Sequence, residues 1–310
     1  MKRGAITATI IAAALSVSVS AQEPMSKFCA KLKQQTVTSD ASLKWVQFGP
    51  GMSGNNKIAF WHPTDPNTLF ISPNMGNSYR STDGGKTYET ILNEDEAGVN
   101  TNMRGPKGLN GIDFSRQNPD YGVCTSISYD GLYITEDRGK SWRWRSQKTF
   151  NKIYLSDICV DPKDDNVWYV GSGNLRNYGR LLFSQAKPHS ATAHAGSLGM
   201  IWKSTDRGEN WSLSNKGIDP SAEIETLLVD PKNSNIVYAS TTYGFYISTD
   251  SGRSWKASNK GLNSVVLRSF SHYYDKATDQ LTFVALAAVE WQPDGETITD
   301  KAGGVFRSLY

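Results

Sequence analysis

Ser248-Thr249-Asp250-Ser251-Gly252-Arg253-Ser254-Trp255 is the stretch whose reading decides the fold, because it is the fourth copy of one pattern. The earlier copies are Ser81-Thr-Asp83-Gly-Gly85-Lys-Thr-Tyr88, Thr135-Glu-Asp137-Arg-Gly139-Lys-Ser-Trp142 and Ser204-Thr-Asp206-Arg-Gly208-Glu-Asn-Trp211. Each places a hydroxyl two residues before an Asp, a Gly two after it and an aromatic five after it. That spacing asks for a tight hairpin. The Asp accepts hydrogen bonds from turn amides, the Gly supplies backbone freedom, and the aromatic is expected to fold back over the apolar side of its own hairpin. A motif that builds a fold recurs wherever the fold does. Asp83, Asp137, Asp206 and Asp250 are therefore read as structural, not catalytic.

The same larger unit surrounds every copy. A strand leads into a turn rich in Asp, Pro and Asn: residues 62–67, 117–120, 161–166 and 230–235. Second strands are expected at Thr68–Ser72, Tyr121–Ser128, Val167–Gly171 and Ile236–Ser240. A third strand runs into the hairpin and a fourth leaves it. Four antiparallel strands per unit make a propeller blade, so the expected class is an all-β propeller. The Asp-to-Asp spacings are 54, 69 and 44 residues (83 to 137, 137 to 206, 206 to 250), the shortest near a usual blade length. A fifth unit begins near Ser264, and Gly304-Val-Phe-Arg-Ser308 reads as its third strand. No Asp, Gly or Trp follows it, so the sequence reads as a fragment of about five blades from a ring of seven or more. Residues 43–48 could supply an outer strand to the last blade of a complete ring.

Bulk properties agree. The 310 residues are 38% hydrophobic and 20% charged, enough to bury a core. With 9 Trp, 14 Tyr and 27 Gly, short strands and tight turns are favoured over helices. The net charge of +3 is interspersed, without a basic stripe, which argues against a nucleic-acid partner. Lys2 and Arg3, the apolar run Gly4–Ser18 and the small residues Val19-Ser20-Ala21 read as a signal peptide cut after Ala21. The expected organisation is a signal peptide over 1–21, an N-terminal segment over 22–42 and the partial propeller over 43–310. The expected location is secreted or periplasmic, without a membrane span. Export permits disulfides, but Cys29, Cys124 and Cys159 are an odd set. Cys124 and Cys159 lie in strand-like runs and read as core residues first and a possible bridge second. No cluster suggests a metal, and no cofactor is expected.

Blade order also places the loops. The repeat hairpins and the Asp/Pro/Asn turns share one face. The loops between second and third strands and the links between blades share the other. The excess length, 93–107, 173–199 and 291–303, lies on that second face. Length clustered on one face of a rigid scaffold points to a binding surface. The candidate ligand contacts there are Asn74, Tyr129, Arg176, Tyr178 and Trp291, and the candidate carboxylates are Asp130 and Glu223. Aromatics beside carboxylates and amides suit sugar rings.

The hairpin pattern resembles the Asp-box of sialidases, sortilins and xyloglucanase-type glycoside hydrolases. Phe48-Gly-Pro-Gly51, the strand Lys57–Trp61 and Phe70–Arg80 resemble the opening of the family 74 enzymes among the last group. That resemblance implies two seven-bladed propellers, a substrate cleft between them and inverting hydrolysis of O-glycosyl bonds. It also implies a catalytic Asp in the first blade. The matching run is Pro73-Asn74-Met75-Gly76-Asn77-Ser78-Tyr79-Arg80, and the Asp position holds Asn74. An amide can serve neither as the acid nor as the base that inversion needs. The expected function is therefore an exported glycan-active propeller that binds or cleaves polysaccharide. A sortilin-like propeller, non-catalytic and binding peptides or proteins, is the alternative.

Overall fold

A computed structural model describes residues 34, 42, 56–73, 78–91, 106, 108–126, 131–145, 149–150, 153–173, 198–288 and 303–309. They form five antiparallel sheets in chain order. The first blade is β1 (Asn56–Trp61), β2 (Leu69–Pro73), β3 (Tyr79–Ser81) and β4 (Glu89–Thr90). The second is β5 (Leu109–Phe114), β6 (Gly122–Ser126), β7 (Leu132–Thr135) and β8 (Arg143–Arg145). The third is β9 (Leu155–Val160), β10 (Trp168–Ser172), β11 (Ile201–Ser204) and β12 (Ser212–Leu213). The fourth is β13 (Ile224–Val229), β14 (Val237–Thr241), β15 (Gly244–Ser248) and β16 (Lys256–Ala257). The fifth has three strands, β17 (Leu267–Asp275), β18 (Gln280–Ala287) and β19 (Gly304–Leu309). The chain is an all-β propeller arc.

Second strands begin one residue later than the alternation predicts. Thr68, Tyr121, Val167 and Ile236 instead close the preceding turn, their carbonyls accepting from the amides of His62, Ser115, Asp161 and Asp230 at 2.9, 3.0, 2.9 and 2.9 Å. First strands of successive blades lie against one another, which makes them innermost. Two carboxylates tie them together. Asp113 of β5 accepts from the Val160 amide of β9 at 2.8 Å, and Asp157 of β9 accepts from the Leu227 amide of β13 at 2.7 Å. Gly111 permits this approach, since a Cβ there would sit 2.6 Å from the Asp157 Cα.

The four repeat hairpins share one hydrogen-bond set. The Ser or Thr hydroxyl donates to the Asp carboxylate at 2.7–2.8 Å and accepts from the Gly amide at 2.8–2.9 Å. The Asp caps the amide four residues on at 2.8–2.9 Å. Two consecutive residues take positive φ, and the first is an L residue in three copies: Arg138 at 57°, Arg207 at 57° and Ser251 at 59°. Its amide reaches the turn between first and second strands, as in Arg138 to the Asp120 carbonyl at 2.9 Å and Ser251 to the Asn235 carbonyl at 2.8 Å. Hairpins and turns therefore share one face, as their order along the chain implies.

The hairpin aromatic also reaches beyond its own hairpin. Trp142 folds back on its own hairpin, its indole donating to the Gly139 carbonyl at 3.1 Å, and it is also buried between blades, its ring 6.3 Å from that of Phe70 in the first blade and 6.3 Å from Phe114 in the second. Trp255 joins the core between the third and fourth blades with Tyr169 and Ile218. The wedge between blades adds to the contact that the indole makes with its own turn. Cys124 and Cys159 are both buried, and no disulfide joins them. Burial holds the Cys159 thiol well above its usual range, which suits a core residue. Cys29, the 1–21 segment and residues 43–48 lie outside the described residues, as does the 22–42 segment apart from Gln34 and Ser42.

Candidate functional site

The end of each blade away from the hairpins carries a repeated irregularity. Every first strand has a register shift there, at 56/58, 109/112, 155/157, 224/226 and 267/269. Such bulges re-aim side chains. The residue after the first bulge position is Lys57, Asn110, Ser156, Glu225 or Arg268, polar in all five blades. Four of the preceding positions are apolar: Leu109, Leu155, Ile224 and Leu267. Asn110 is a tether, donating to the Leu155 carbonyl of the next blade at 2.8 Å. Ser156 and Glu225 are buried at the same level. A second polar row, Ser126, Ser172 and Thr241, pairs with the bulges and is also buried.

Between the third and fourth blades this polar end gathers a carboxylate and an open aromatic ring. Glu223 precedes β13 and is 2% exposed. Its amide donates to the Thr242 hydroxyl at 2.9 Å, and its carbonyl accepts from the Thr242 amide at 3.1 Å. Thr242 and Tyr243 form the two-residue turn between β14 and β15. Thr241 holds that turn, its hydroxyl donating to the Gly244 carbonyl and accepting from the Tyr243 amide, both at 2.9 Å. Tyr243 is 39% exposed. Burial, followed by the charges of Asp219 and Glu223, raises its phenol above the usual range.

The 174–197 stretch departs from and returns to this same place. Gly173 donates to the Tyr154 carbonyl at 3.1 Å, and a Cβ on it would lie 2.9 Å from the Glu223 Cβ. Gly199 donates to the Ala222 carbonyl at 2.7 Å. Only a residue without a side chain fits Gly173, so both ends of the longest insertion flank Glu223.

Of the candidate site residues, Glu223 is described, and it stands on the expected face. Asn74, Tyr129, Asp130, Arg176, Tyr178 and Trp291 lie outside the described residues. Thr242, Tyr243 and Glu225 were not singled out from sequence. A signal existed: Gly131 and Gly244 both open the region of a third strand, so Tyr243 holds the position that Asp130 holds two blades earlier. Among the described residues no three His, Cys, Asp or Glu side chains group to hold a metal, and no helix is long and apolar enough to cross a membrane.

The hairpin aspartates sit on the other face with their acceptor capacity used locally. Hydrogen bonds from Thr87, first from its amide and then its hydroxyl, hold Asp83 below the usual carboxylate range. The Ser254 hydroxyl foremost holds Asp250 down to about 2. The Asn210 amide leads the same effect at Asp206. At Asp137 burial works the other way, but bonds from Ser141 and Thr135 outweigh it. A carboxylate so committed is a poor proton carrier near neutral pH.

Comparison with known proteins agrees with the fold. No family model matches the chain. A Neosartorya fischeri protein described as a "probable oligoxyloglucan-reducing end-specific xyloglucanase" is 27% identical over 209 residues, 58% of this chain and 24% of that protein. Among solved structures, an ancestral GH74 enzyme superposes with a TM-score of 0.59 at 17% identity, over 87% of this chain and 32% of the other. The Niastella koreensis GH74 enzyme gives 0.54 at 16% identity, over 84% and 36%. The fold is that of the GH74 propellers. The chain spans about a quarter to a third of the length of these relatives.

Proposed function

We propose that the protein is an exported, glycoside-hydrolase-like propeller that binds or cleaves polysaccharide on the face opposite its repeat hairpins. The observation that carries this reading is the buried Glu223, its backbone paired with Thr242, beside the partly exposed Tyr243 at the foot of the longest insertion. An open aromatic face stacks on a sugar ring while adjacent polar groups take its hydroxyls. Glu225, two residues along, adds a second carboxyl group, the minimum that acid–base cleavage of a glycosidic bond requires. The names of the relatives, xyloglucanase and GH74 enzyme, support a polysaccharide ligand and a glycosidase. Asn74 stands where the family resemblance places a catalytic Asp, so cleavage here would rest on other carboxylates, with Glu223 and Asp130 as candidates. The run from Lys2 to Ala21 supports export.

The test is reducing-end release from xyloglucan, mixed-linkage glucan and algal polysaccharides by the chain without residues 1–21. Glu223→Gln and Asp130→Asn run in parallel. Release abolished by either variant supports a hydrolase. No release, and no binding of any of these polymers by the folded protein, overturns the glycan reading.

A further inference from the structure

We propose that His62 is an acid-sensitive latch, fastening the first blade to the second at the hairpin end and letting go when its imidazole takes up a second proton. A link repeated along the arc points to it. His62, Ser115, Asp161 and Asp230 are aligned, since the amide of each closes the turn between first and second strands. Three of them bond the turn of the next blade, each four residues past the aligned residue there. The His62 Nε2 donates to the Pro119 carbonyl at 2.8 Å, and the Ser115 hydroxyl donates to the Asp165 carboxylate at 2.6 Å. The Asp161 carboxylate accepts from the Ser234 hydroxyl at 2.8 Å. Among these side chains the imidazole is the one whose ordinary titration lies near neutral pH.

The bonds around the ring admit one charge state. A carbonyl only accepts, so Nε2 carries a proton. The Thr64 amide only donates, and it lies 3.3 Å from Nδ1, so Nδ1 carries none. A proton added at Nδ1 meets the Thr64 N–H. The Thr64 hydroxyl, 3.4 Å from the same nitrogen, can accept that proton only once the amide has moved aside, which opens the turn. The residue is 3% exposed, with its ring 4.5 Å from that of Phe114 in the second blade. Three charged groups face it: Asp65 of its own turn, Arg116 just after β5 and Arg138 of the hairpin after β7. Arg138 is paired with Asp65 and Asp120, each at 3.0 Å, and Arg116 with Asp113 at 2.5 Å. The one carboxylate beside the ring is therefore already engaged by a guanidinium. Burial foremost, then Arg138 and Arg116, hold the imidazole below its usual range against the Pro119 bond and Asp65.

The sign follows from that lowering. Below about pH 6.5 an unfolded His is charged while the folded His62 is still neutral, so the latch is at full strength above that pH and weakens as pH falls below it. The weakening is local. It frees the turn after β1 from the second blade, while the Ser115–Asp165 and Ser234–Asp161 links keep the second, third and fourth blades joined. It also acts at the hairpin end, away from Glu223.

The test is hydrogen exchange of the full chain, followed by mass spectrometry from about pH 7.5 to about pH 5 and corrected for the intrinsic chemical rate. Opening of peptides over residues 62–70 and 115–123 should rise at least about threefold relative to peptides over residues 224–241. His62→Gln keeps a side-chain donor but cannot take up a proton, and it should abolish the rise. His272→Gln, which removes the other histidine among the described residues, should leave it. A second measurement needs no variant. The ring nitrogen-15 shifts of His62 in the unaltered chain should show the neutral tautomer protonated at Nε2 at about pH 7.5, and protonation of Nδ1 only below about pH 6. An equal rise in all blades, a rise that persists in His62→Gln, or an imidazolium already present at about pH 7.5 overturns the proposal.

Discussion

The two ends of the blades follow different rules. At the hairpin end, four copies repeat the same hydrogen bonds to within about 0.1 Å although the residue between Asp and Gly varies from Gly to Arg to Ser. At the opposite end the backbone bulge is constant, while the residue it presents changes through Asn110, Ser156, Glu225 and Arg268. Connections there range from the two-residue turn at Thr242-Tyr243 to the insertion between Gly173 and Gly199. The uniform end determines where blades go. The variable end can change without moving them, so it is free to carry a ligand site.

That division predicts a graded set of outcomes. Trp142→Ala should cost about 3–5 kcal/mol, read as a lower denaturant midpoint, because it empties a wedge shared by two blades. Gly252→Ala should cost about 2–3 kcal/mol by the same measurement. Its φ is +82°, and a Cβ would lie 2.4 Å from the Ser214 hydroxyl oxygen and 2.8 Å from the Tyr169 ring. Asp137→Ala should cost about 1–2 kcal/mol for its lost hydrogen bonds. Tyr243→Ala should cost about 1 kcal/mol or less, since the residue is only partly covered, yet weaken glycan binding several-fold.

The hairpin end also fixes a pH dependence. The folded values of Asp83, Asp137, Asp206 and Asp250 are depressed, so their stabilisation is fully present above about pH 4, where an unfolded Asp is ionised. It is lost as pH falls through the folded values, Asp250 near 2. Denaturant midpoints should therefore drop between about pH 4 and 2. Asp250→Asn should flatten that drop.

How much was legible follows from the range of each interaction. Asp137 and Gly139 are legible because a hairpin satisfies itself within eight residues. Trp142 is legible as an aromatic but not in its reach between blades, since Phe70 lies seventy-two positions away in another blade. The bulges, and with them Glu225, were hidden because an extra residue breaks the two-residue alternation by which strands are recognised. Glu223 was placed on the right face by blade order. Its burial depends on Gly173 and Thr242, which only the packed third and fourth blades bring to it.

The most direct measurement of the central claim compares variants from the two ends in one glycan-binding titration and one melting curve. Glu223→Gln and Tyr243→Ala represent the variable end, Asp137→Asn and Asp250→Asn the uniform end. The account predicts that the first pair loses affinity or reducing-end release with little change in melting temperature. The second pair should lower the melting temperature and leave the affinity of the folded protein intact. Affinity lost in the hairpin variants and kept in Glu223→Gln and Tyr243→Ala would contradict it.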